Sequence, residues 1–213
     1  MKTHIKSLGV LFLVITAMFS SCQKDTLTDA EQLAALKDVA FTFQSMNANL
    51  SLPTGALGGQ TFDQLMAADS STFGNAENYS VSFLVKMLAS NTKENAKDAK
   101  FDGMRIDMIM DTLESAPITT AASGFEILKN TTQEVIAQGN IKLSTHKPAV
   151  LYIFKQMADG QDLATTLSTY LNYNIGSLNG AIPLPSFQQQ IPTSASAETK
   201  SFLTGLLNSG VFQ

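Results

Sequence analysis

Cys22 is the only cysteine in a chain of 213 residues. A thiol this isolated has no disulfide partner within the chain and no second thiolate for a metal. Its chemistry is that of a single acceptor. Histidine is almost as scarce, with two in all, and His146 is the one beyond Cys22. It has only Lys147 charged beside it and no carboxylate at i+3 or i+4. As a general base or metal ligand it lacks partners, and a solvated turn histidine is the better reading. Asp107 and Asp111 fall on one side of a period-two segment with Arg105. Four residues of strand hold them about 13 Å apart, too far for an acid–base pair on their own. Asp98, Asp102 and Gly103 offer oxygens without the spacing of a calcium loop, so a charged turn fits them better. Gly55-Ala56-Leu57-Gly58-Gly59 follows no clear strand and lacks a Lys-Ser/Thr ending, so it is not a phosphate loop. No catalytic set, metal site or cofactor is expected. What remains is aromatic: Tyr170 and Tyr173, with Tyr152 and Phe187, lie near Asn172, Asn174 and Gln188 to Gln190. Aromatic faces with amide neighbours suit a carbohydrate, which makes Tyr170 and Tyr173 the candidate ligand-binding residues.

Cys22 gains its meaning from what precedes it. Lys2 and Lys6 make a basic start, and Leu8 to Phe19 is an apolar run of 12 residues. That run spans about 18 Å as a helix, short of a ~30 Å hydrocarbon core, so it reads as a signal-peptide core. Ser20-Ser21-Cys22 then resembles the lipobox of bacterial lipoproteins. The resemblance implies cleavage after residue 21 and a diacylglycerol on the Cys22 sulfur, with the membrane as partner through that lipid. Each buried acyl CH₂ contributes about 0.8 kcal/mol, so several chains on one cysteine hold far better than one. The alternative is an ordinary signal peptide ending near a lone thiol. Gln23-Lys24-Asp25 resembles the short tag that directs lipoproteins to the surface of some Gram-negative bacteria; a solvated tether is the other reading. Asp25-Thr26-Leu27 and Asp111-Thr112-Leu113 resemble Asp-Thr-aliphatic O-glycosylation sites, a pattern short enough to arise by chance. The expected location is the outer membrane, lipid-anchored and facing the cell surface.

Composition narrows the partners. Charged residues are 15% of the chain, below the usual ~25%. Residues 1–21 carry two lysines and no acid, so without them the net charge is two units more negative than the −4 of the whole chain. No Lys/Arg cluster occurs, which speaks against nucleic acid or an anionic lipid surface. An envelope protein or a glycan is the expected partner. The length beyond Cys22 suffices for one domain with a real core.

The elements follow from periodicity. Thr28-Asp29-Ala30-Glu31 has capping-box spacing before Leu33, Leu36, Ala40 and Phe43, and the alternation Val39 to Phe43 predicts a strand after that helix. Residues 51–78 are rich in breakers, with a short helix at Thr61 to Ala68; a loop this long is a candidate functional edge. Val81, Phe83, Val85, Met87 and Ala89 then alternate with polar residues, as do Met104, Ile106, Met108 and Met110. Ser90 to Lys100 reads as a turn between these two antiparallel strands. Phe125 and Ile127 predict a third strand, Glu134 to Leu143 a fourth, and Leu163 to Ile175 a fifth. Ile182 to Ile191 is extended, and Pro183, Pro185 and Pro192 confine it to an edge. Two more helices are predicted. Ser144 to Gly160 would be capped by Ser144 or Thr145 and ended by Gly160; Ser196 to Asn208 is followed by Gly210.

The order from residue 79 to 191 resembles the type 2 late embryogenesis abundant, or water-stress (WHy), family. The matching pieces are Ser90-Asn91-Thr92, Ala116-Pro117-Ile118-Thr119-Thr120, Leu151 to Met157, Asp159-Gly160-Gln161-Asp162-Leu163, and Leu167 to Tyr173. The usual Asn-Pro-Asn corner reads Asn91-Thr92-Lys93 here, and Thr169 stands near an expected glycine. The resemblance implies an immunoglobulin-like sandwich and a non-enzymatic, interaction or stress-protection role, and carries over no catalytic residue.

The expected protein is therefore mostly β: an immunoglobulin-like antiparallel β-sandwich with a few short helices, the alternative being α+β. A signal peptide (1–21) and lipidated tether (22–27) precede one globular domain (28–213). Its β-sandwich core covers about 79–191, with a C-terminal helix at 196–208. The expected role is a non-enzymatic binding, assembly or stress-protection module of the envelope. A surface glycan- or peptide-binding accessory protein, using the 51–78 loop and Tyr170/Tyr173, is the alternative.

Overall fold

A computed structural model describes residues 27–110, 118–193 and 195–212. Cys22, Gln23, Lys24 and Asp25 lie outside the described residues, as do Asp111, Ala116 and Pro117.

The chain opens with helix α1 (Asp29–Asp38). Thr28 accepts from the Glu31 amide while Glu31 accepts from the Thr28 amide, so the capping box forms as its spacing predicts. Strand β1 (Ala40–Ser51) follows directly. Residues 52–79 hold two short helices, α2 (Phe62–Ala68) and α3 (Ser70–Phe73), and a 3₁₀ turn at Ala76–Asn78. Thr61 and Gln64 make a second capping box at the start of α2. Then come β2 (Ser80–Asn91), β3 (Ala99–Met110), β4 (Ile118–Ile127) and β5 (Thr131–Lys142). Helix α4 (Lys147–Asp159) separates these from β6 (Leu163–Ile175), β7 (Leu178–Pro183) and β8 (Phe187–Ile191). Helix α5 (Ala197–Ser209) is the last element.

The fold is mostly β, an antiparallel sheet curled on itself with a few short helices. Strand order is β1-β2-β5-β4-β3-β6-β7, with β8 also paired to β6. One residue pair, Ala121 with Gln138, joins β4 to β5. That narrow join divides the curled sheet into two layers, β1-β2-β5 and β4-β3-β6 with β7 and β8. Inward-facing rows of the two layers form the core. Val81, Phe83, Val85, Met87 and Ala89 of β2 meet Met104, Ile106, Met108 and Met110 of β3 in one buried cluster. Each large side chain withdrawn from water there contributes about 1.5–3 kcal/mol. The alternation on β3 slips between Phe101 and Met104, where Asp102-Gly103 intervenes.

Two expectations change. Ser90 to Lys100 is not a hairpin turn. β2 pairs with β1 and β5, whereas β3 pairs with β4 and β6, so residues 92–98 carry the chain from one layer to the other. A polar stretch between two half-buried strands is equally compatible with either path. At α4 the N-cap is His146, which makes no side-chain cap bond; neither Ser144 nor Thr145 takes that position. Thr145 Oγ1 sits 2.9 Å from His146 Nδ1 instead. The remaining helix ends hold: Gly160 and Gly210 adopt left-handed backbone at φ +68° and +69°.

Helices cover both ends of the sandwich. Lys93–Asp38 (2.8 Å) and Lys97–Glu31 (3.4 Å) pair α1 with the crossing segment. At the other end α2, α4 and α5 enclose an aromatic cluster around Tyr79, which touches Phe154, Phe202 and Phe212.

Candidate functional site

A groove of about 460 Å³ lies at the helical end. Its first wall is the end of β1, Ala48 to Leu50, continuing through Leu52 and Pro53. Its second is the Gly55–Leu57 turn. Its third is Ala195, Ser196 and Thr199 at the start of α5, with Met157 of α4 below. The local sequence explains each wall. Gly55 takes φ +87°, which lets the chain turn tightly after Pro53, and the Ala56 amide donates to the Pro53 carbonyl at 3.1 Å. Ser196 caps α5 by accepting from the Thr199 amide at 3.1 Å. The lining is alanine, leucine, proline, methionine, asparagine and hydroxyls. Leu57, 47% exposed, stands at the rim. Such a surface binds through shape, apolar contact and backbone hydrogen bonds, and offers no group that would move a proton near neutral pH.

Tyr170 and Tyr173 do not form one platform. They are three residues apart on β6, and a strand turns odd-numbered offsets to opposite faces. Tyr173 shares the face of Leu167 and Leu171 and packs against the core. A side chain on Gly180, which pairs with Tyr173 across the ladder, would meet the Tyr173 hydroxyl at 2.7 Å and displace it. Tyr170 faces outward. The Arg105 guanidinium lies 4.6 Å above its ring and 3.3 Å from the Asp107 carboxylate. Ser168 and Ser186 hydroxyls meet at 2.8 Å on the same face. Phe187 turns the other way, against Phe43. Neither Tyr170 nor Tyr173 lines the groove, so the 51–78 loop and the tyrosines are separate features.

Asp98 Oδ1 accepts from the Lys129 amide at 2.8 Å, fixing a turn. Gly55 and Gly59 serve the loop bend, both at positive φ. Among the described residues no group of three or more metal-binding side chains converges, and no helix is long and apolar enough to cross a membrane.

One surface was missed in the sequence. Asn49, Ser82, Gln138 and Asn140 line a second shallow recess of about 390 Å³ on the outer face of β1-β2-β5, over Leu84 and Gly139. Its signal was the polar half of the alternation on β2 and β5, which becomes a surface only when the register sets Ser82 opposite Asn140.

No known family profile matches the chain, and no curated protein matches it. Solved structures do. A protein from Archaeoglobus fulgidus is 8% identical, with 73% of this chain and 100% of that one covered, at a TM-score of 0.39. A "putative late embryogenesis abundant (LEA) protein" solved in solution is 12% identical over 88% of this chain and 89% of that one, at a TM-score of 0.35.

Proposed function

We propose that this chain is a lipid-anchored protein of the bacterial cell envelope that acts by binding rather than by catalysis, holding its sandwich at the outer membrane and facing the cell surface. The observation that carries the binding reading is the groove between the end of β1 and the start of α5, lined by apolar, amide and hydroxyl side chains. The anchor rests on the sequence alone: the basic start, the short apolar run and Ser20-Ser21-Cys22. Gln23-Lys24-Asp25 supplies the surface assignment.

The test is metabolic labelling with palmitate, combined with protease shaving of intact cells. Wild type should take up label and be shaved. Cys22→Ala should lose the label, and Lys24→Ala with Asp25→Ala should keep the label but resist shaving. An unlabelled wild type removes the anchor; a labelled but protected one moves the protein to the periplasmic face and favours envelope assembly or stress protection.

The second reading is glycan binding on the outer face of β3 and β6. It is favoured by the outward-facing, half-buried Tyr170 ring beneath Arg105, beside the hydroxyls of Ser168 and Ser186. A glycan array probed with wild type and Tyr170→Ala decides it: signals lost in the variant support it, and a silent array removes it.

A further inference from the structure

We propose that the free edge of β1 takes up an extended segment of a partner protein as an added strand, with alternate side chains of that segment entering the groove. This rests on the binding reading above and names what is bound and how.

The first observation is the edge itself. β1 is the terminal strand of the sheet, 12 residues long. In an antiparallel pair every second residue turns its N–H and C=O away from the neighbouring strand. Among the described residues, no backbone hydrogen bond outside the ladder with β2 involves Ala48 to Leu52.

The second is a contrast between the two edges. Exposed edges are ordinarily blunted by short strands, lysine or proline, because a bare edge recruits other strands. The far edge follows that rule: β7 and β8 have six and five residues, and Pro183, Pro185 and Pro192 punctuate them. β1 reads AFTFQSMNANLS, without a charge or a proline. Its one irregularity is a register shift between Phe43 and Ser45, upstream of the groove. An uncovered strand of this kind is an aggregation hazard unless something is meant to cover it.

The third is the location of the groove. Phe43 meets Phe187 edge-on at 5.2 Å, which pins β1 against β8. Beyond that contact β1 continues toward Leu52 and β8 toward Ser196. The groove lies between Ala48–Leu52 on one side and Ala195–Thr199 on the other. It thus adjoins the edge of β1 that faces away from β2. The occupant's chemistry follows from the walls. Backbone groups call for an extended segment. Uncharged walls containing Leu50, Leu52 and Leu57 call for small aliphatic side chains at every second position. The walls stand on both sides of the slot, which suits one inserted segment better than the broad edge of a second copy.

The test uses the full-length chain in detergent and capped synthetic peptides that alternate valine with serine, leucine with threonine, or isoleucine with asparagine. Each is also made N-methylated at one or the other set of alternate amides. Hydrogen exchange read by mass spectrometry should show protection rising at Ala48–Leu52 when a peptide binds. One methylated set should abolish binding and the other should not, because an added strand uses only one row of its amides. Asn49→Lys, on an exposed edge position, should weaken binding by about tenfold or more. Leu57→Asp at the rim repeats the test should Asn49→Lys unfold. No binding by any peptide, equal tolerance of both methylations, or binding without protection at β1 overturns the proposal. Protection that rises with protein concentration alone also overturns it, in favour of a second copy. Palmitate labelling at Cys22 reads the anchor independently, so the two proposals fail separately.

Discussion

The side-chain amide of Asn91 donates to the Ile127 carbonyl oxygen at 3.1 Å, joining the end of β2 in one layer to the end of β4 in the other. The same nitrogen donates to the Lys97 carbonyl at 2.8 Å, and the Asn91 backbone carbonyl accepts from the Asn130 amide at 2.7 Å. Asn91 is fully buried, so it holds the crossing segment 92–98 to both layers. Asn91→Ala leaves two carbonyl oxygens without their donor and should cost about 2–3 kcal/mol. Urea unfolding should show a lower midpoint at an unchanged slope.

Tyr79 anchors the opposite end. Its buried phenol donates to the Phe73 carbonyl at 2.7 Å, and burial pushes its ionisation above the ordinary value of 10. A group whose folded pKa is raised contributes stability that is complete below the unfolded value and lost as pH rises through the folded one. The wild type should therefore lose stability above pH 10, and Tyr79→Phe should lose it less steeply. At neutral pH Tyr79→Phe should cost about 1–2 kcal/mol, because it strands the Phe73 carbonyl. Unfolding followed against pH, with phenolate absorbance beside it, checks both.

Glu31 carries the opposite sign. The Thr28 backbone amide, then the Thr28 hydroxyl and Lys97, hold its carboxyl below the ordinary 4.5. Its contribution is present above 4.5 and lost as pH falls through the folded value. Glu31→Gln should lower stability slightly near neutral pH, where that contribution is present, and leave it unchanged in acid, which flattens the acid limb of the curve. Urea midpoints measured on both sides of that value give the comparison.

The two tyrosines of β6 should separate under the same substitution. Tyr173→Ala removes a ring packed on the core and should cost about 2 kcal/mol or more. Tyr170→Ala removes an outward ring and an exposed cation–π contact and should cost about 1 kcal/mol or less. Thermal unfolding of the pair ranks them. Equal losses would contradict the opposite facing of the two rings.

Much of the local structure was legible because local physics determines it. The boxes at Thr28 and Thr61 satisfy orphan amides within one turn, so they mark helix starts wherever they fall. Gly160 and Gly210 end helices because left-handed backbone costs glycine nothing. The alternations at Val81 to Ala89 and Met104 to Met110 marked half-buried strands, and those residues are the core. The opposite facing of Tyr170 and Tyr173 follows from an offset of three on a strand, yet the aromatic-and-amide pattern grouped them as one ligand site.

Pairing was not. A period of two shows that one face of a strand is buried, and says nothing about which strand lies beside it, since any apolar row meets the same requirement. That β2 and β3 belong to different layers was decided by the closure of the whole sheet, with Asn91 bonding across the crossing. The groove has the same origin. Ala48 to Leu52, Gly55 to Leu57 and Ala195 to Thr199 are distant in sequence and carry no joint pattern. They became one site because the closed sheet, with β1 held to β8 at Phe43 and Phe187, brings the end of β1 and the start of α5 to the same end of the molecule. The reading of Cys22 runs the other way: a leader and its acceptor cysteine are recognised as a linear string, so the sequence carries that proposal without help from the fold.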